Sequence, residues 1–126
     1  MKPRGVDFFC YTVSDISKSA DFYENTLGLT LYAWIGTGWV EFVIGDTPTV
    51  LALRSGREEQ DANGETGGGA IAIAVADVRR AVDELRAQHV EVVLEPGEQA
   101  TCYAAGIADP DGNLILLHNR KDGTAG

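Results

Sequence analysis

The chain carries the same pattern twice, and this duplication constrains the fold more than any single residue does. The two copies are Val13 to Leu31, reading VSDISKSADFYENTLGLTL, and Val75 to Val93, reading VADVRRAVDELRAQHVEVV. Asp15 is related to Asp77 by 62 positions, and the offset falls by one after the helix, as expected if the second connection is one residue shorter. A repeat of about half the chain predicts two modules built alike, facing each other across a pseudo-twofold axis with a shared site between them.

The length of the chain fits one domain made from both modules. With 126 residues, each module has about 60, which is too few to bury a stable core alone. We therefore predict a single domain over residues 1–126, with module one at 5–54 and module two at 70–119. The segment between them, 55–69, reads SGREEQDANGETGGG and is expected to be a flexible linker.

Hydrophobic periodicity and turn residues predict the order strand, helix and three strands in each module. In module one the strands are expected at 6–13, 29–35, 39–44 and 49–54, and the helix follows a cap at Ser14 or Asp15 and ends at Gly28. In module two the strands are expected at 70–75, 90–94, 101–107 and 113–118, with the helix at 78–88. His89 takes the place of Gly28 in the repeat, so we expect it to be an exposed residue at the helix end.

Charge and hydropathy exclude some classes of partner. The formal net charge of −9, from 19 acidic and 10 basic residues, argues against nucleic acid, because phosphate binding needs clustered Lys and Arg. The acidity favours either solubility alone or a cationic ligand. No apolar run approaches the roughly 20 residues that span a bilayer, and no signal-peptide pattern follows the first residues. We expect a cytoplasmic protein with no membrane partner.

The two cysteines indicate no scaffold and no redox motif. Cys10 and Cys102 have no CxxC spacing and are too few for a disulfide framework. Both fall in apolar segments, and we expect both to be buried free thiols.

Two stretches of the chain resemble a known family. The phrases YTVSDISKSADFYENTLGLTL and IADPDGNLILLHNR are similar to the two signature stretches of the vicinal oxygen chelate superfamily. That superfamily includes glyoxalase I, extradiol dioxygenases, fosfomycin resistance enzymes and bleomycin resistance proteins. The resemblance implies an α+β fold in which two βαβββ modules form an incomplete eight-stranded barrel around a cavity, often completed by dimerisation. We expect a homodimer.

The resemblance also implies where a metal ion would bind. Family members with metal chemistry place His or Glu on the first and fourth strands of each module, and these positions fall on Phe8, Ala52, Ala70 and Leu116. None of these side chains carries a metal-binding atom. We therefore expect no metal ion and no other cofactor.

Three side chains are candidates for proton transfer. Strand alternation points Glu41 toward the cavity, where it either pairs with Arg54 as a structural ion pair or remains available to a ligand. His118 lies two positions beyond Leu116 and should face the cavity, as a structural histidine or as a hydrogen-bonding group. Cys102 is the third candidate.

Small residues predict the shape of the cavity. Small side chains on inward-facing positions leave room, and they are Ala52, Ala70, Ala72 and Ala74. Aromatic walls could come from Trp39, Phe8, Tyr11 or Trp34. The alternative is a closely packed interior. The residues predicted to bind a ligand are Phe8, Cys10, Trp39, Glu41, Ala52, Arg54, Ala70, Ala72, Leu116 and His118.

These observations leave three hypotheses for function. The first is a metal-independent protein that sequesters a small aromatic or cationic molecule, as in the bleomycin resistance branch. The second is an enzyme of the same superfamily, a lyase, isomerase or dioxygenase type, either metal-free or with displaced metal ligands. The third is a structural or regulatory module with a filled barrel. Fold alone does not choose among them.

Overall fold

The computed structural model describes Lys2, residues 8–56 and residues 69–125. The chain divides into two compact units, Met1–Glu59 and Gln60–Gly126. Most of the segment predicted as a linker lies outside the described residues. Each unit contains the predicted order of one strand, one helical segment and three strands.

The first unit forms one four-stranded mixed sheet. Its elements are β1 Phe8–Val13, α1 Ile16–Asp21, a π-helical turn Phe22–Thr26, β2 Thr30–Trp34, β3 Trp39–Val43 and β4 Val50–Ser55. The strand order is β1-β4-β3-β2, with β1 parallel to β4 and the other pairs antiparallel.

The second unit repeats this arrangement. Its elements are β5 Ile71–Ala74, α2 Val78–Ala87, β6 Val92–Glu98, β7 Cys102–Ala108 and β8 Leu114–Arg120. The strand order is β5-β8-β7-β6, again with one parallel pair, β5 and β8. The two mixed sheets and short helices confirm the predicted α+β fold of two βαβββ modules. Among the described residues, no helix is both long and apolar enough to cross a membrane.

The core of the first unit lies between its sheet and its helical segment. On the helical side, the buried strand residues alternate along their strands, and they are Tyr11, Val13, Val40, Phe42, Leu51 and Leu53. Ala20 and Tyr23 cover them from the helical side, where α1 packs against β3 and β4. Ala52, on the other face of β4, is buried as well. In the second sheet, Ile107, Ile115 and Leu117 are buried on the side of α2.

Both helices begin at the aspartates that the repeat places in register. The Asp15 carboxylate accepts a hydrogen bond from the Lys18 backbone N–H at 3.0 Å, and Asp77 accepts one from Arg80 at 3.0 Å. Each side chain satisfies a backbone donor that has no partner inside the helix. The predicted N-cap at Asp15 is confirmed.

The one-residue difference between the repeats lies inside the first helix. The Leu27 N–H donates to the Phe22 carbonyl, five residues earlier, at 3.0 Å, so an extra residue is accommodated as a π-helical turn. The sequence had placed the difference in the connection after the helix, and that interpretation was wrong. The connection is no shorter in the second unit, because it is the helix that contains one residue fewer.

Both helices end at a residue with left-handed backbone conformation. Gly28 has φ of 75°, and His89, at the equivalent position, has φ of 63°. In the second unit the His89 N–H donates to the Arg86 carbonyl and the Val90 N–H to the Leu85 carbonyl, which is the Schellman pattern. His89 is exposed, as predicted.

The turn before β8 is held by a buried carboxylate. Asp109 is 5% exposed and accepts from the backbone N–H groups of Asp111 at 2.9 Å and Asn113 at 2.8 Å. The Asn113 side-chain amide donates to its second oxygen at 2.9 Å. The Asp109 carboxylate therefore organises this turn.

Candidate functional site

Six of the predicted site residues share one face of the first sheet. The face opposite α1 carries, by strand alternation, Phe8, Cys10, Trp39, Glu41, Ala52 and Arg54. Cys10 and Glu41 both lie beside Ala52 in the register, and Trp39 lies beside Arg54. We call this set the β1–β3 face. The structure thus brings together all the candidates of module one.

An aromatic pair spans the β1–β3 face. The rings of Phe8 and Trp39 meet edge to face, with centroids 5.6 Å apart and planes at 89°. Since their strands flank β4, the two side chains reach toward each other above that strand. Ala52 on β4 is fully buried, whereas Phe8 is 48% exposed. The accessible apolar surface of this face is therefore aromatic.

The Glu41 carboxylate is held by the neighbouring indole. Trp39 donates from Nε1 to Glu41 Oε1 at 2.9 Å, and both side chains are half-buried. Glu41 and Arg54 form no ion pair, because the Arg54 guanidinium donates instead to Thr12 Oγ1 at 2.9 Å. The structural pairing of Glu41 with Arg54 was wrong. A carboxylate accepts several hydrogen bonds, so Glu41 retains capacity for a ligand.

Thr12 belongs to this face and was missed in the sequence. It lies beside Arg54 in the β1–β4 register and is half-buried. The signal was available, because Thr12 has the same parity as Phe8 and Cys10 along β1. Its hydroxyl orients the only basic side chain of the β1–β3 face.

Cys10 is half-buried, not fully buried as predicted, and its thiol is free. The thiol donates to the Tyr11 carbonyl at 3.6 Å. Burial raises the pKa of the Cys10 thiol, because the thiolate loses hydration, and the Arg54 charge opposes this by lowering the same pKa. A protonated thiol is a poor nucleophile. Cys10 is therefore suited to line a site and not to attack a substrate.

Two aromatic side chains considered as walls lie elsewhere. Tyr11 is 6% exposed and belongs to the core on the α1 side of the sheet. Trp34 pairs with Val40, which is fully buried on that same side. Neither residue contributes to the β1–β3 face.

The candidates of module two share a face of the second sheet. Ala72 lies beside Leu116, and His118 lies between Ala74 and Ala104, on the face away from α2. Cys102 lies on the same face and pairs with Arg120, two register positions from the pair of Ala104 and His118. Ala72 and Ala74 are exposed and His118 is half-buried, so the imidazole stands on a surface of small residues.

Ala70 and Cys102 differ from their predicted placements. Ala70 precedes β5, which begins at Ile71, and is half-buried. It therefore stands outside the strand in which it was predicted. Cys102 is a half-buried free thiol, and not the fully buried one expected.

The described residues do not fit a metal ion at the implied positions. Phe8 and Ala52 on the first sheet, and Ala70 and Leu116 in the second unit, offer no nitrogen, oxygen or sulfur donor from their side chains. Within residues 8–56 and 69–125, no group of three or more His, Cys, Asp or Glu side chains is placed to hold one.

The chain is similar to known proteins over most of its length. The family model for the Glyoxalase/Bleomycin resistance protein/Dioxygenase superfamily matches residues 5–117. A lactoylglutathione lyase of Neisseria meningitidis serogroup A is 32% identical over 120 residues, covering 88% of this chain and 87% of the relative. A probable lactoylglutathione lyase of Vibrio parahaemolyticus is 30% identical over 125 residues, covering 90% and 89%.

A solved structure is similar over nearly the whole chain. TnmS3, described as an antibiotic binding protein from Streptomyces sp. CB03234, superposes with a TM-score of 0.78 at 27% identity. The match covers 96% of this chain and 99% of TnmS3.

Proposed function

Since the chain belongs to the Glyoxalase/Bleomycin resistance protein/Dioxygenase superfamily, we propose that it binds a small aromatic or cationic molecule without a metal ion. Sequestration of that molecule is the proposed role. The observation that carries the proposal is the β1–β3 face, where a partly exposed aromatic pair lies beside a carboxylate.

The chemistry of this face suits a planar cation. The edge-to-face pair of Phe8 and Trp39 offers ring surface for stacking, and aromatic faces attract cations through their quadrupole. The Trp39 indole N–H orients Glu41, so the negative charge is held next to that surface. A ligand with a flat ring and a protonated nitrogen would use both features. The similarity to TnmS3, an antibiotic binding protein, supports a binding role.

A planar cation with a matched anion tests the proposal. We expect 9-aminoacridine to bind and anthracene-9-carboxylate to bind at least about tenfold more weakly, because only the cation gains from Glu41. Fluorescence titration in a Trp34→Phe background reads the environment of Trp39 alone. Glu41→Gln preserves the side-chain volume and should weaken the cation by about tenfold, the equivalent of one charge-assisted hydrogen bond.

The control is Asp46→Asn, which removes one exposed negative charge on the turn between β3 and β4 of the same unit. It should leave affinity within about twofold, because solvent and salt screen an exposed charge. If neither probe binds, the proposal fails. If Glu41→Gln lowers the melting temperature and leaves affinity unchanged, Glu41 serves only the structure.

Metal independence has its own test. The purified protein should carry no stoichiometric Zn, Ni, Mn or Fe after dialysis against a weak chelator, because the implied positions hold Phe8, Ala52, Ala70 and Leu116. Elemental analysis measures this directly. About one metal ion per chain would contradict the proposal and direct attention to His118 and Glu41.

A lyase activity is the second candidate, favoured by two relatives at 30% and 32% identity that are named lactoylglutathione lyases. On this chain, Glu41 on the first sheet and His118 and Cys102 on the second are the groups that could move a proton. Incubation with lactoylglutathione, with and without added Zn²⁺ or Ni²⁺, tests it. Turnover that disappears in Glu41→Gln or His118→Gln would establish an enzyme and displace the sequestration role.

We also propose that the protein is a homodimer. Edge strands β2 and β6 carry apolar side chains open to solvent, with Tyr32 66% and Leu94 53% exposed. Exposed apolar residues on edge strands are a common feature of protein interfaces.

A further inference from the structure

A groove lies on the α1 side of the first sheet, between the helical segment and the edge strand β2. Its volume is about 230 Å³, and its lining includes Asp21, Glu24, Asn25, Leu31, Trp34 and Phe42. Trp34 is 42% exposed and Leu31 39%. Because Trp34 pairs with the buried Val40, this groove lies on the opposite side of the sheet from Glu41. It is separate from the β1–β3 face.

The second unit has an equivalent groove between α2 and β6. Its volume is about 290 Å³, and its lining is Arg79, Val82, Asp83, Arg86, Glu95 and Pro96. The repeat relates Asp21 to Asp83, Glu24 to Arg86 and Trp34 to Glu95. The two grooves are therefore the same place in two copies of one module.

Their charges differ, because the lining of the second groove includes two arginines, Arg79 and Arg86, and the lining of the first includes none. In the second groove, the Arg86 guanidinium forms an ion pair with Glu95, so the helix itself supplies a cation to the groove. In the first groove, the equivalent positions hold the Glu24 carboxylate and the Trp34 indole, and the described lining contains no cation.

The remaining polar groups of the first groove do not neutralise its two carboxylates. Asp21 accepts a hydrogen bond from the Asn25 amide at 2.7 Å, but an amide is neutral and leaves the charge in place. Glu24 is half-buried and forms no ion pair with any residue that the structure describes. Two carboxylates and an indole thus surround a space that, in the other copy, receives a guanidinium.

We propose that this groove binds a guanidinium group from another molecule. The planar cation would stack on the Trp34 indole, as arginine does on aromatic faces, and donate hydrogen bonds to the Glu24 and Asp21 carboxylates. The same chemistry is present in a free alkylguanidinium compound and in the arginine side chain of a protein.

The two indole N–H signals in an NMR spectrum provide the measurement, since the chain has two tryptophans. Titration with butylguanidinium chloride, or with the peptide acetyl-Leu-Arg-Leu-amide, should shift the Trp34 signal in a saturable way with a millimolar dissociation constant. Trp39 lies on the other face and should not shift. The peptide acetyl-Leu-Gln-Leu-amide, which lacks the cation, should bind at least about tenfold more weakly.

Glu24→Arg places in the first groove the residue type of the second, and it should weaken both guanidinium probes by about tenfold or more. Asp46→Arg makes the same change in net charge on the exposed turn between β3 and β4, and should alter affinity less than about twofold. Melting curves verify that both variants fold.

The outcomes separate the two sources of the cation. If the arginine peptide binds at least tenfold more tightly than butylguanidinium, the groove receives a protein side chain; comparable affinities indicate a free compound. The proposal is overturned if no probe produces a saturable shift of Trp34, if the glutamine peptide binds as well as the arginine peptide, or if Asp46→Arg costs as much as Glu24→Arg.

Discussion

The left-handed residues that end the two helices, His89 and Gly28, allow a reciprocal test of how backbone conformation affects stability. His89 holds φ of 63°, a conformation that costs a residue with a Cβ about 1–2 kcal/mol. Replacement by glycine removes this cost but adds about 0.4–1 kcal/mol of chain entropy to the unfolded state. We therefore expect His89→Gly to raise the free energy of unfolding by about 0.5–1 kcal/mol. The side chain is exposed, so no packing is lost.

Substitution of Gly28 by a residue with a Cβ makes the reverse change. Gly28 holds φ of 75°, and a Cβ built there meets no atom within 4 Å, so a substitution causes no collision. Gly28→Ala should lower the free energy of unfolding by about 1 kcal/mol through backbone conformation alone. His89→Ala is the matched control for loss of the imidazole, and it should not stabilise the protein, because the Cβ remains.

Urea denaturation followed by circular dichroism measures all three variants, with changes in midpoint converted at a common slope. A stabilising effect of the left-handed glycine is refuted if His89→Gly destabilises the protein, or if His89→Ala stabilises it as much as His89→Gly does. The first result would show that the imidazole makes a contact worth more than the backbone cost. The second would show that the effect comes from the side chain and not from the left-handed conformation.

Three further predictions concern the turn, the thiol and the assembly. Asp109→Ala should destabilise the protein by about 2–4 kcal/mol, because two buried backbone N–H groups lose their acceptor. Asp109→Asn keeps an acceptor oxygen and should cost less than half of that. Equal melting temperatures of the two variants would contradict this prediction. In a Cys102→Ser background, Cys10 alkylation should have a pH midpoint above that of free cysteine, since burial raises its pKa. Arg54→Gln should move the midpoint higher still, because a charge that lowers the pKa is removed; a midpoint below that of glutathione would refute this. Light scattering at micromolar concentration should report twice the chain mass, and a monomer mass would exclude the proposed dimer.

The local fold was predictable because its signals are local. Asp15 and Asp77 are side chains that cap backbone within three residues, and Gly28 and His89 end helices by their own backbone conformation. Alternation along β3 also placed Glu41 on the face opposite the buried Val40 and Phe42, whereas Tyr11, considered as a cavity wall, belongs to the core. The position of the extra residue in the first module was predicted wrongly. An offset between repeats shows that a residue was added, but it does not show which hydrogen bonds change to accommodate it.

The candidate site was predictable in membership but not in contacts. Strand parity correctly placed Glu41, Trp39 and Arg54 on one face, since alternation has a fixed period of two. It did not predict that Glu41 binds the Trp39 indole, or that Arg54 binds Thr12. Several partners lie within reach of a long side chain, and register and rotamer together choose among them.

By itself, the sequence determined the duplicated α+β architecture, the helix caps and the face on which Glu41, Trp39 and Arg54 lie, because each depends on a short-range period or a neighbour in the chain. Tertiary structure alone decided the arching of Phe8 and Trp39 over β4 and the charge contrast between the two grooves. The aromatic contact depends on the register of β1 and β3 against β4, and the grooves depend on how α1 and α2 pack beside their edge strands. Packing brings together residues that no period along the chain connects.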